Sequence, residues 1–170
     1  MPGIRNLTAQ EFQERLIRFK KSYVKDWDEW IDSFTNNTDV AYVFGEILRR
    51  WQACRPNNMR RSQRENFHEP PYLEHILQQS DTYINSLSTF DLRNDNAFCA
   101  TTEYSLKKLW DIFTNLSYCG KARNGKTGVV GISKAVLLLT EGRVGPAFDS
   151  KVRNNLGKDS IDNANSGLTH

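Results

Sequence analysis

Spacing is the feature that constrains this chain most. Phe12, Leu16, Phe19, Tyr23, Trp27, Trp30 and Ile31 step by three and four residues, which places them on one face of an α-helix. Val40, Val43, Phe44, Ile47 and Trp51 repeat the pattern, as do Leu106, Leu109, Trp110, Phe113 and Leu116. No two segments alternate apolar and polar residues in the manner of paired strands. The expectation is an all-α, single-domain bundle of about five to seven helices. It should occupy residues 1–158, with residues 159–170 as a polar, flexible tail.

The boundaries follow from local chemistry. Thr8 and Glu11 form a capping box that starts a long helix to about residue 34. Asn36-Asn37 breaks it, and Thr38 or Asp39 begins a second helix to about Ala53. Gly45 inside that helix permits a close crossing. Residues 55–71 read as a long loop, and a third helix begins at Tyr72 with Pro71 in its first turn. After a second loop, Thr102 caps a fourth helix that reaches Tyr118 or Cys119.

Composition narrows the compartment and the chemistry. A chain of 170 residues, 38% apolar and 25% charged, has enough material for one core. Three cysteines, Cys54, Cys99 and Cys119, are an odd number without a C-x-x-C pair. That argues against a disulfide framework and a cysteine zinc site, and for reduced thiols in a cytoplasmic protein. The start MPGIRNLT lacks the apolar stretch of a signal peptide, and no run reaches the ~20 apolar residues that span a bilayer. The reading calls for no membrane, metal or cofactor.

The stretch from residue 128 to 157, GVVGISKAVLLLTEGRVGPAFDSKVRNNLG, orders glycines, an apolar run, an isolated Asp and basic residues in a way that suggests chemistry. Gly128-Val129-Val130-Gly131 reads as a turn, residues 132–140 as a buried helix, Gly142 as its end, and residues 149–156 as a further helix. This order resembles the catalytic segment of the helix-hairpin-helix DNA glycosylases. Val130-Gly131-Ile132-Ser133-Lys134-Ala135 is similar to the second half of their hairpin, and Phe148-Asp149-Ser150-Lys151-Val152-Arg153 to the motif that carries their aspartate. Aligned on Gly131, Ser133 stands at the position of the family's Schiff-base lysine, and Lys134 follows one residue late. Val129 stands where the first hairpin glycine is usual.

The resemblance implies a DNA-binding protein that excises a base as a monofunctional glycosylase. Asp149 is then the carboxylate that activates water or stabilises a cationic sugar, with Lys134 a weaker catalytic candidate. Gly128, Gly131 and Ser133 would hold the DNA backbone, and Lys126, Lys134, Lys151 and Arg153 would neutralise phosphates. Asp is also a preferred helix N-cap, and capping alone is the plainer account of Asp149.

Charge placement bears on the same partner. Residues 49–64 hold six arginines and no acid, and of these Arg60 and Arg61, in the loop 55–71, are candidates to clamp a nucleic-acid backbone. Solvation of a basic loop explains them too. Residues 120–127, GKARNGKT, satisfy the phosphate-loop pattern G-x-x-x-x-G-K-[ST], but the preceding segment has helical rather than strand spacing. The alternative function is a non-catalytic helical module that binds a protein or a small ligand, in which the glycines only turn the chain.

Overall fold

The computed structural model describes residues 10, 14, 26–65, 70–91, 99–117, 126–145 and 147–155. Among these, helices carry the chain: α1 (residues 26–35), α2 (Val40–Arg50), α3 (Leu73–Ser86), α4 (Ala100–Phe113), α5 (Val129–Leu139) and α6 (Ser150–Asn155). The described residues contain no strand, only one antiparallel bridge between Met59 and Ser117. The expected all-α class is the class observed. Residues 10 and 14 are also helical, but Thr8, Glu11 and the aromatic residues from Phe12 to Tyr23 lie outside the described residues, as does the tail after Asn155.

Phe44, Leu48, Met59, Leu73, Ile76, Leu109, Phe113, Leu116, Ile132 and Leu138 are fully buried and form one core. The end of α3 lies against the start of α4, where the Ser86 and Ser105 hydroxyls meet at 2.7 Å and the Tyr83 and Tyr104 rings meet edge to face at 6.1 Å. Helix α1 covers the other side. Trp27 and Trp30 pack on the Trp51 ring at 5.9 and 5.4 Å, and Phe34 packs on Phe44. Gly45 does permit a close crossing, because a Cβ there would stand 2.7 Å from Leu73 Cδ1.

Helix α2 begins where its sequence says. The Asp39 carboxylate accepts the Tyr42 N–H at 3.1 Å, relieving one of the unpaired donors of the first turn. Val40, expected inward, is instead 39% exposed. The helix ends at Arg50, three residues before Ala53. Gln52 takes a left-handed conformation with φ 53°, Ala53 N–H donates to Leu48 O, and Gln52 N–H to Arg49 O. That pairing is the Schellman motif, with glutamine where glycine is usual. Further on, Cys99 rather than Thr102 is the N-cap of α4, so Thr102 sits inside the first turn. Tyr72 is the N-cap of α3, which places Pro71 before the helix rather than in it.

Helix α5 corrects the sequence reading most. The expected turn at residues 128–131 is not a turn, because the helix starts at Val129 and the Gly131 N–H already donates to Gly128 O at 3.0 Å. A glycine three residues into a helix reads as a breaker by propensity, yet here it is a contact surface. A Cβ at 131 would meet Ala53 O at 2.8 Å, Cys54 Sγ at 3.0 Å and the Thr127 methyl. The helix ends in a second Schellman motif. Gly142 (φ 83°) donates to Leu137 O at 2.8 Å, and Glu141 (φ 51°) donates to Leu138 O.

Glu141 is therefore a non-glycine residue held in a left-handed conformation at an exposed helix end. Glu141→Gly is expected to raise unfolding stability by about 1 kcal/mol in a denaturant titration. An unchanged or lower stability would mean that the ion pair with Arg143, 3.0 Å long and exposed, outweighs the backbone strain.

Candidate functional site

Helix α5 is apolar nearly all round and is buried along most of its length, packed against α2, α4 and the 3-10 turn Thr114–Leu116. Its polar side chains must find partners inside the protein, since a buried unpaired group is costly. Lys134, expected from the sequence to neutralise phosphate, is only 8% exposed. Its ammonium donates to Trp51 O at 2.7 Å and lies 5.1 Å from the centre of the Trp51 ring. Trp51 closes α2, so the cation meets the negative end of that helix and the face of an indole together. Burial pulls the Lys134 ammonium below the ordinary lysine range, and the negative charge of Asp149 works against the fall.

Ser133, one residue earlier, is also buried. Its hydroxyl accepts the Phe148 N–H at 2.9 Å and donates to Val130 O at 3.3 Å. The chain on either side of Phe148 is thereby tied to α5. Asp149 follows at once and caps α6, its Oδ1 accepting the Val152 N–H at 2.9 Å while its carbonyl accepts the Arg153 N–H. Among the described residues Oδ1 alone of the two carboxylate oxygens has a hydrogen-bond partner. The structure thus brings Ser133, Lys134 and Asp149 together.

Cys54 joins the same neighbourhood from the end of α2. Burial pushes its thiol upward, against the hydrogen bonds of Ser117 and Thr127 and the charge of Lys134, so the sulfur stays protonated and is a weak nucleophile. Thr127 is buried as well. Its hydroxyl accepts the Ser117 N–H at 2.8 Å and donates to Ser117 Oγ at 3.1 Å. That hydroxyl is occupied in the fold, and with no strand among the described residues the phosphate-loop reading of GKARNGKT loses the context it requires. Residues 120–125 lie outside the described residues. Gly128 is half-buried and Lys126 is exposed, whereas Gly131 faces the chain rather than solvent. Arg153 is half-buried, and the side chain of Lys151 lies outside the description.

The arginine-rich stretch is built into the fold. Residues 55–65, expected as open loop, make two 3-10 turns, and Arg60 N–H donates to Leu116 O at 2.7 Å. Arg49 bonds Glu46 at 2.7 Å and Glu65 at 3.1 Å, and Arg61 bonds Glu65 at 2.8 Å. Arg64 pairs with Asp39 at 3.3 Å and lies 4.4 Å above the Tyr42 ring. Arg60, the first of the two proposed clamp residues, donates to the Pro70 and Asn115 carbonyls at 3.0 and 3.3 Å. Arg61, the second, is held by Glu65. Both hold the loop in shape. Arg50 and Arg55 remain exposed.

Comparison with protein-family models, with curated proteins and with solved structures finds no match to this chain. Among the described residues no three of His, Cys, Asp and Glu gather in a way that could hold a metal ion. Sequence reasoning missed Trp51 and Cys54 as neighbours of Lys134. Periodicity marks Trp51 as core and carries no sign of a contact made across 83 residues.

Glu65 is the hub of the arginine cluster. Burial pushes its carboxyl up, but the Ser62 N–H and the Arg61 and Arg49 guanidiniums outweigh that and leave it below the ordinary glutamate range. A depressed carboxyl stabilises the fold at pH above its unfolded value, and that contribution disappears as the pH falls through the folded one. Glu65→Gln is expected to cost about 2 kcal/mol at neutral pH. The gap to wild type should narrow as unfolding is measured at progressively more acidic pH. A gap that stays constant with pH would remove Glu65 from this role.

Proposed function

We propose that this chain is a DNA-binding protein of the helix-hairpin-helix glycosylase kind, with Asp149 as the carboxylate facing the sugar of an excised base. The observation that carries the reading is the tether of Phe148 N–H to Ser133 Oγ, which sets Asp149 at the start of α6 beside the residues of α5 that match the hairpin segment. A base-excising site needs a negative charge held still near a sugar that becomes cationic as the glycosidic bond breaks. Asp149 is half-buried, oriented through Oδ1, and has Oδ2 without a hydrogen-bond partner among the described residues. Lys134 has its ammonium bonded to Trp51 O, which supports water rather than lysine as the attacking group. Lys126 is exposed just before α5 and is the candidate for backbone phosphate.

A second reading, a non-catalytic helical module with a protein or small-ligand partner, is favoured by one observation. Arg49, Arg60, Arg61 and Arg64 are bonded within the chain, so the most basic segment offers little charge to a polyanion.

The two readings part in one experiment that does not require knowing the base. Duplexes carrying either a neutral tetrahydrofuran abasic site or a cationic pyrrolidine analogue are titrated with protein across a salt series. The glycosylase reading expects binding that weakens with salt, and a preference for the cationic site of about a hundredfold. Asp149→Asn should erase that preference. Equal binding of the two duplexes by wild type would overturn the carboxylate role, and no binding at low salt would leave the module.

A further inference from the structure

We propose that Ser133 is a positioning residue for Asp149, acting through the Phe148 backbone, rather than a ligand of the DNA backbone. The inference rests on the base-excision reading and gives one of its residues a different part. The Ser133 hydroxyl has a single proton and directs it to Val130 O at 3.3 Å, inside its own helix. Its lone pairs then face away from the helix and accept the Phe148 N–H at 2.9 Å. Ser133 is 8% exposed, so neither group is open to a phosphate.

What this bond fixes is the residue that follows. Phe148 leads directly into Asp149, whose side chain is held by the Val152 N–H and whose carbonyl is held by the Arg153 N–H. Those two bonds set Asp149 relative to α6 alone. Among the described residues the Ser133 bond is the one hydrogen bond from the segment 147–149 to α5, beside the charge attraction between Asp149 and Lys134. Without it the Phe148 N–H, in a half-buried segment, lacks a partner and turns toward water, moving Asp149 with it. Charge stabilisation at a reacting centre is sensitive to displacements of this kind, on the order of 1 Å. A lysine at this position would serve as a nucleophile in the resembling family, and serine serves here to hold the carboxylate.

The test uses the full chain and the two abasic duplexes. The readout is the ratio of affinities, cationic over neutral, measured with thermal unfolding alongside. Ser133→Ala is expected to lower the ratio by about tenfold, and Ser133→Thr, which keeps the oxygen, to restore it. Ser133→Ala combined with Asp149→Asn should give the ratio of Asp149→Asn alone, because Ser133 acts only through that carboxylate. If Ser133→Ala does not fold, Ser133→Cys takes its place, since sulfur fills the site and accepts weakly, and a lowered ratio is again expected. A folded Ala or Cys variant with the wild-type ratio would overturn the inference and leave the base-excision reading standing. A wild-type ratio of one would overturn that reading and the inference together.

Discussion

A cation buried on the most apolar of the described helices governs how the parts of this protein meet. Taking an ammonium out of water carries a penalty that only a close acceptor can offset. Lys134 finds that acceptor in the carbonyl that ends α2, and its ammonium stands over the face of Trp51. The ring is in turn packed by Trp27 and Trp30 from α1. One charge thus requires α1, the end of α2 and the middle of α5 to stand in a single arrangement. The other buried polar groups of α5 repeat the logic over shorter range. Ser133 ties the segment before α6, and Thr140 bonds Val136 O while accepting the Val144 N–H, which shapes the exit from the helix.

The same accounting separates the charges a sequence contains from the charges a molecule presents. By count, residues 49–64 are the most basic part of the chain. In the fold, four of their arginines are paired with Glu46, Glu65, Asp39 or backbone carbonyls, where they brace the connection between α2 and α3. Guanidinium suits this work because its planar fork meets carboxylates and carbonyls at several donors. The DNA-binding reading accordingly rests less on the arginine-rich loop and more on exposed Lys126, just before α5, and on Asp149 at the start of α6.

Much of the fold was legible because helices declare themselves locally. The spacing of Val43, Phe44 and Ile47, the Asp39 cap, the buried stripe of Leu106, Leu109 and Phe113, and the role of Gly142 all follow from contacts within a few residues. What was missed depends on tertiary partners. The start of α5 lies before Gly131 because packing against Ala53 and Cys54 outweighs the weak helix propensity of glycine. Lys134 reads as a surface residue until α2 is known to end where its ammonium can reach. At the candidate site, the Asp149 cap was open to a reading from sequence, whereas the Ser133 bond to Phe148 was not, since nothing local marks a hydroxyl as an acceptor for an amide 15 residues away.

The packing at Gly131 has a consequence for how such a chain can diverge. Two of the atoms that a Cβ there would meet belong to side chains, Cys54 and Thr127, and could be exchanged for smaller ones. The third is the Ala53 carbonyl oxygen, at 2.8 Å, and no substitution removes a backbone atom. Compensation at 131 must therefore come from relocating the end of α2, which also carries the acceptor of Lys134. Drift at this position is coupled to the wiring of the interior, so a lineage that loses the glycine has to rebuild the junction in several steps at once.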